Sequence, residues 1–93
     1  MAIRHDEAGK RFVMDLGDGS EALLVYRPMG DALEFYHTFV PESHRGQGLA
    51  EKVVAEAFRY ARDHRLKVIP SCPYVSGTFL RRHKEFQNLV ARR

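Results

Sequence analysis

The apolar positions of the chain change their period once, near residue 48, and the change divides the sequence into two kinds of structure. Before it the period is two. In 11–17, Phe12, Met14 and Leu16 alternate with Arg11, Val13 and Asp15, the pattern of a strand with one buried face. Asp18, Gly19 and Ser20 are a turn signal, so 21–27 (EALLVYR) reads as the returning arm of a hairpin. A second turn at 28–31 (PMGD) leads into 32–40, rich in aromatic and β-branched residues and stopped by Pro41. With a short edge strand near Ile3, these segments predict an antiparallel meander.

From Gln47 or Gly48 the period becomes helical. Leu49, Val53, Val54, Ala57, Phe58 and Ala61 fall on one stripe, with Glu51, Lys52, Glu56, Arg59 and Arg62 on the other side. Val54 and Phe58 are therefore expected in the core. The run 66–70 (LKVIP) reads as a short buried strand, and 74–83 as a second, shorter helix despite Gly77. The order β-β-β-α-β-α predicts an α+β domain. One helix joins the strands 32–40 and 66–70, so these two are expected to run parallel through a right-handed crossover.

Composition narrows the picture further. A chain of 93 residues suits one domain, spanning 1–93, and 44% apolar with 29% charged residues is a globular balance. No apolar run approaches the roughly 20 residues that span a bilayer, and the first residues lack the apolar stretch of a signal peptide, so a cytoplasmic location is expected. The one cysteine, Cys72, is expected to remain a free thiol there. With one cysteine and no H-x-x-x-H or C-x-x-C spacing, no metal site is expected. A net charge of +3 permits an anionic ligand, but the cations are dispersed. A nucleic-acid binder would interleave aromatic and basic residues on one sheet face, and 32–40 holds aromatics with few cations.

The junction where the period changes, 40–58 (VPESHRGQGLAEKVVAEAF), carries the chemistry. The first turn of a helix leaves backbone N–H groups without partners, and the helix dipole adds partial positive charge there. Gly46 and Gly48 remove the Cβ atoms that would obstruct an anion, and Ala50 is the next smallest choice. Each N–H aligned on a charged oxygen contributes about 1.5 to 3 kcal/mol. Several together suit a diphosphate. The Walker loop and the dinucleotide fingerprint both fail to match, since the loop reads G-x-G-x-A after a meander.

What remains, Arg45-x-x-Gly48-x-Ala50, resembles the [QR]-x-x-G-x-[GA] signature of the GCN5-related N-acetyltransferases. H-T-F-V-P at 37–41, R-G-Q-G-L at 45–49 and P-S-C-P-Y-V at 70–75 together resemble the minimal, single-domain subgroup of that family, with its H-T-x-V-P, R-G-x-G-[LI] and P-x-C-x-[YF]-V segments. The resemblance covers nearly the whole chain. It implies a twisted mixed sheet with the main helix packed on it, and acetyl-coenzyme A as acyl donor. By the same resemblance the backbone of Phe39 and Val40 pairs with the pantetheine arm. The loop Arg45, Gly46, Gln47, Gly48, Leu49 and Ala50 binds the pyrophosphate, and Cys72, with Ser71 and Tyr74, lines the opposite side of the cleft.

The catalytic groups are less fully specified. Relatives of this subgroup often carry Glu where this chain has Phe39, so that position supplies no base here. The helix after the last motif strand does not match the Tyr and Asn of larger members, which leaves Tyr74 as a candidate acid. Cys72 is a candidate nucleophile or acid, or a packed small side chain. His37, read on the same strand face as Leu33, Phe35 and Phe39, is a candidate base or a packed histidine. His44, His64 and His83 read as surface residues. Two functions follow: acetyl transfer to a small amine or an exposed protein amine, or coenzyme A binding with little catalysis. The short connection between the first strands predicts an open acceptor cleft.

Overall fold

The computed structural model describes residues 2–91. Five strands form one sheet in chain order: β1 (Ile3–Asp6), β2 (Arg11–Asp15), β3 (Glu21–Met29), β4 (Ala32–Phe39) and β5 (Lys67–Pro70). The first three joints are antiparallel and the last, between β4 and β5, is parallel, as a helical crossover between them requires. That crossover is α1 (Leu49–Asp63). The expected α+β architecture, an antiparallel meander followed by a βαβ unit, is the one observed.

Three local differences from the sequence pattern have physical reasons. Strand β3 runs on to Met29, so the turn shrinks to Gly30 and Asp31, with Gly30 at a φ of 64°; a two-residue hairpin favours glycine at such a position. Val13, expected on the outer face, is fully buried. It lies in the middle of the sheet, paired with Arg4 on one side and Leu23 on the other, whose side chains share its face. The expected helix at 74–83 opens with wide π-type turns over Tyr74–Phe79 before one α turn, α2 (Leu80–Arg82), and a 3₁₀ segment Lys84–Leu89. The chain then returns beside β5, where Val90 bridges to Val68 and the Ala91 amide donates to the Val68 carbonyl at 2.8 Å.

A fourth difference changes the chemistry. Tyr26 of β3 faces Phe35, but the preceding Val25 faces His37, so β4 carries one extra residue, Tyr36, in a β-bulge. Neighbouring side chains on β3 point to opposite faces, and their partners therefore do the same. Leu33 and Phe35 are buried on the core face, whereas His37 is exposed on the other. The reading that set His37 beside Leu33 and Phe35 is thus corrected: strict alternation holds only where no residue is inserted. Thr38 moves to the core side by the same shift.

Helix α1 buries Leu49, Val53, Val54, Ala57, Phe58 and Ala61, the stripe read from the sequence, together with Ala55 at its margin. Phe58 is the hub. Its ring centroid lies 5.2 Å from each of Phe35, Phe79 and Phe86, so one side chain joins the sheet, the wide-turned segment and the 3₁₀ segment. Phe58→Ala is expected to cost about 3 to 5 kcal/mol, a large share of a small domain's stability. Chemical denaturation monitored by circular dichroism checks this; a loss below about 1 kcal/mol would mean that the three ring contacts do not anchor the core.

Candidate functional site

The site begins where β4 stops. Pro41 ends extended pairing, a 3₁₀ turn Glu42–His44 reverses the chain, and Arg45 to Gly48 lead into α1. Gly46 and Gly48 have φ of 85° and 73°, and Gly48 is the N-cap residue, so no side chain caps the helix. A Cβ built at either glycine would meet no protein atom within 4 Å. Glycine is therefore demanded by the left-handed backbone, while the space above it lies open.

That space is a hollow of about 300 Å³ lined by Gly46, Gly48, Leu49 and Ala50 on the loop side and by Tyr74, Thr78 and Arg82 across from them. A second hollow of about 210 Å³ is lined by Thr38, Phe39, Val40, Arg45, Ala50 and Tyr74. Val40, Arg45, Ala50 and Tyr74 border both, so the two form one groove passing from the helix N-terminus along the end of β4. Of the expected loop residues, Gln47 alone borders neither part. Arg45 turns back along the strand, and its Nε donates to the Val40 carbonyl at 3.1 Å.

The groove exists because β4 and β5 part company. Their parallel pairing ends at Phe35 and Pro70, and the Cys72 amide donates to the Phe35 carbonyl at 2.9 Å as the last link. Beyond it, β4 pairs only with β3 as far as Phe39, which leaves the backbone edge toward β5 open for an extended ligand. Cys72 sits at the fork, 7% exposed, with its Sγ 2.9 Å from the Thr38 hydroxyl oxygen. It does not border the groove itself. Thr38 stands between the two, in contact with the thiol and facing the groove.

Tyr74 is half-buried where the two hollows meet. Burial, followed by the nearby Glu51 carboxylate, pushes its phenol above the ordinary value of 10.0, so it holds its proton at neutral pH. His37 is exposed on the opposite face of β4 from Thr38 and does not share a face with Cys72. All three histidines read as surface residues are engaged, His64 through its Nδ1, 2.9 Å from the Tyr60 carbonyl oxygen. His44 Nε2 lies 2.9 Å from the Asp18 carboxylate, tying the loop to the β2–β3 turn; hydrogen bonds from Ser20, then from His44, hold that carboxylate well below its ordinary range. His83 Nε2 lies 2.8 Å from Glu51, and its ring stacks on Phe79.

Thr38, Thr78, Arg82 and Glu51 were missed as groove residues. Tyr74, Thr78 and Arg82 are four residues apart, a spacing that places them on one helical face and was legible. Thr38 was hidden by the bulge. Among the described residues no group of three or more His, Cys, Asp or Glu is placed to hold a metal ion, and no helix is long and apolar enough to cross a membrane.

The chain as a whole has counterparts among known proteins. The family model described as GCN5-related N-acetyl-transferase matches residues 11–89. The chain belongs to that family. It is 29% identical over 75 residues to Protein NATD1 of Gallus gallus, covering 78% of this chain and 68% of the relative. Protein NATD1 of Danio rerio is 29% identical over 77 residues, with 81% and 70% covered. A GCN5-like protein of Staphylococcus aureus, solved by NMR, superposes with a TM-score of 0.73 over 97% of this chain and 87% of that one, at 25% identity.

The Tyr74 environment makes a prediction. Of the four tyrosines, Tyr74 and Tyr26 have phenols pushed above 10.0. Titration of tyrosinate absorbance should therefore resolve late components, and Tyr74→Phe should remove one of them. Loss of a component that titrates at or below 10 would show that the phenol is not desolvated in this groove.

Proposed function

We propose that the protein is an acetyl-CoA-dependent N-acetyltransferase acting on a primary amine. The observation that carries this reading is the continuity of the groove. Open space over two left-handed glycines at a helix N-terminus runs on to an unpaired strand edge, and the fork of β4 and β5 lies at its far end. That sequence of environments matches the donor part by part: amide N–H groups of Gly46 to Ala50 for the pyrophosphate, the Arg45 amide being already given to the Glu42 carbonyl, the β4 edge at Phe39 and Val40 for the amide-bearing pantetheine arm, and the fork for the thioester.

In the transfer, the neutral amine nitrogen attacks the thioester carbonyl carbon, the C–S bond breaks, and the departing thiolate takes a proton. Tyr74 is the assigned proton donor, because its phenol borders both hollows and is held in the protonated form. Cys72 is buried behind Thr38, so its assigned part is to hold the Thr38 hydroxyl at the groove wall rather than to carry the acetyl group. With Phe39 at the strand end, the amine's proton passes to water on the open side. The open groove admits a small amine or an exposed protein amine as acceptor. A cytoplasmic setting, where a lone thiol stays reduced, belongs to the same proposal.

Ala50→Glu tests the donor site. The position is helical, so the fold should persist, but a carboxylate at the groove opposes the phosphates. Calorimetry should find affinity for coenzyme A reduced about tenfold or more; unchanged affinity would remove the loop from the binding site. Tyr74→Phe should lower kcat about a hundredfold on an amine panel while the Kd for coenzyme A stays within about twofold. A hydroxylamine-labile acetyl group on Cys72 after incubation with acetyl-CoA alone would overturn the direct route. Tight coenzyme A binding with no turnover on any amine would favour a binding module instead.

A further inference from the structure

We infer that Arg82 binds the 3′-phosphate of the nucleotide end of coenzyme A, making the C-terminal helical segment a second phosphate site; this rests on the donor reading above. The groove is directional. Its Thr38 and Phe39 end lies beside the fork where the thioester belongs, so the nucleotide must lie beyond the loop, in the hollow walled by Thr78 and Arg82. The loop amides supply donors for the two phosphate groups of the diphosphate. A 3′-phosphate monoester brings about −1.5 to −2 further charge at pH 7 and requires a cation of its own.

Among the described residues, the side chains around that hollow leave one cation placed for it. Arg45 folds back toward Val40, on the pantetheine side, and His44 is held by Asp18. Arg82 borders the hollow with its side chain 67% exposed, and its Nη1 lies 3.9 Å from Glu51, a loose pairing that leaves most of the guanidinium free to donate. Glu51 also borders the hollow, and a carboxylate there would by itself repel a polyphosphate. It is turned instead into a bracket. His83, stacked on Phe79, holds Glu51 at 2.8 Å, and Glu51 in turn keeps the Arg82 guanidinium at the rim. Tyr74, Thr78 and Arg82 recur every four residues, so the same helical face presents the phenol to one end of the ligand and the guanidinium to the other.

The test compares coenzyme A with 3′-dephospho-coenzyme A, which differs only in the phosphate at issue. Calorimetry at low ionic strength should find that the parent binds coenzyme A more tightly. Arg82→Gln should weaken coenzyme A about three- to tenfold while leaving the dephospho ligand unchanged, so that the preference between the two disappears. Glu51→Gln, which releases the bracket that keeps Arg82 at the rim, should narrow the preference for coenzyme A over the dephospho ligand. Equal weakening of both ligands in Arg82→Gln, or no weakening of either, would overturn the assignment. If the parent binds neither ligand, the donor reading fails first, and the second phosphate site fails with it.

Discussion

The parting of β4 from β5 is the constraint on which the rest of the site depends. Parallel pairing holds these strands only from Ala32 to Phe35, and the Cys72 amide makes the last bond across the gap. Past that point β5 has ended and the β4 edge that faced it has no strand partner, a costly arrangement inside a protein and a productive one where a peptide-like ligand completes the pairing. The chain keeps the gap from closing by turning each strand away. On the β5 side Pro73 starts the wide-turned segment at Tyr74, and on the β4 side Pro41 and the glycine loop start α1.

The bulge at Tyr36 is the second half of the same device. One inserted residue carries Thr38 to the core side, against the Cys72 thiol, and puts His37 on the exposed face. Without it, the hydroxyl that stands between the buried thiol and the groove would face away from both. Packing then fixes the geometry: Phe58 joins Phe35 of the sheet to Phe79 of the wide-turned segment, so the two banks of the groove share one core contact.

Much of this was legible in the sequence, and for physical reasons. The change of period at residue 48 located α1, since the apolar stripe from Leu49 to Ala61 has only one helical solution, and a single helix between two strands forced the parallel joint. The paired glycines marked the loop. What escaped reading was everything that depends on a count across strands. A bulge adds a residue without a local signal, so His37 was put on the wrong face and Thr38 was overlooked. The roles of His44 and His83 depend on Asp18 and Glu51, 26 and 32 residues away, and sequence spacing carries no trace of such pairs. The helical face of Tyr74, Thr78 and Arg82 was available from spacing alone, but the wide turns at its start made the segment read as a weak helix.

We propose that the groove beside the fork holds coenzyme A through its loop and strand edge. Native mass spectrometry of the folded protein mixed with a slight excess of acetyl-CoA tests it most directly. A one-to-one complex heavier by the mass of acetyl-CoA is expected, converting to the coenzyme A complex when a suitable amine is added. A spectrum that retains only the bare chain at ligand concentrations near 1 mM, where even a weak site of about −4 kcal/mol would be half filled, would contradict it.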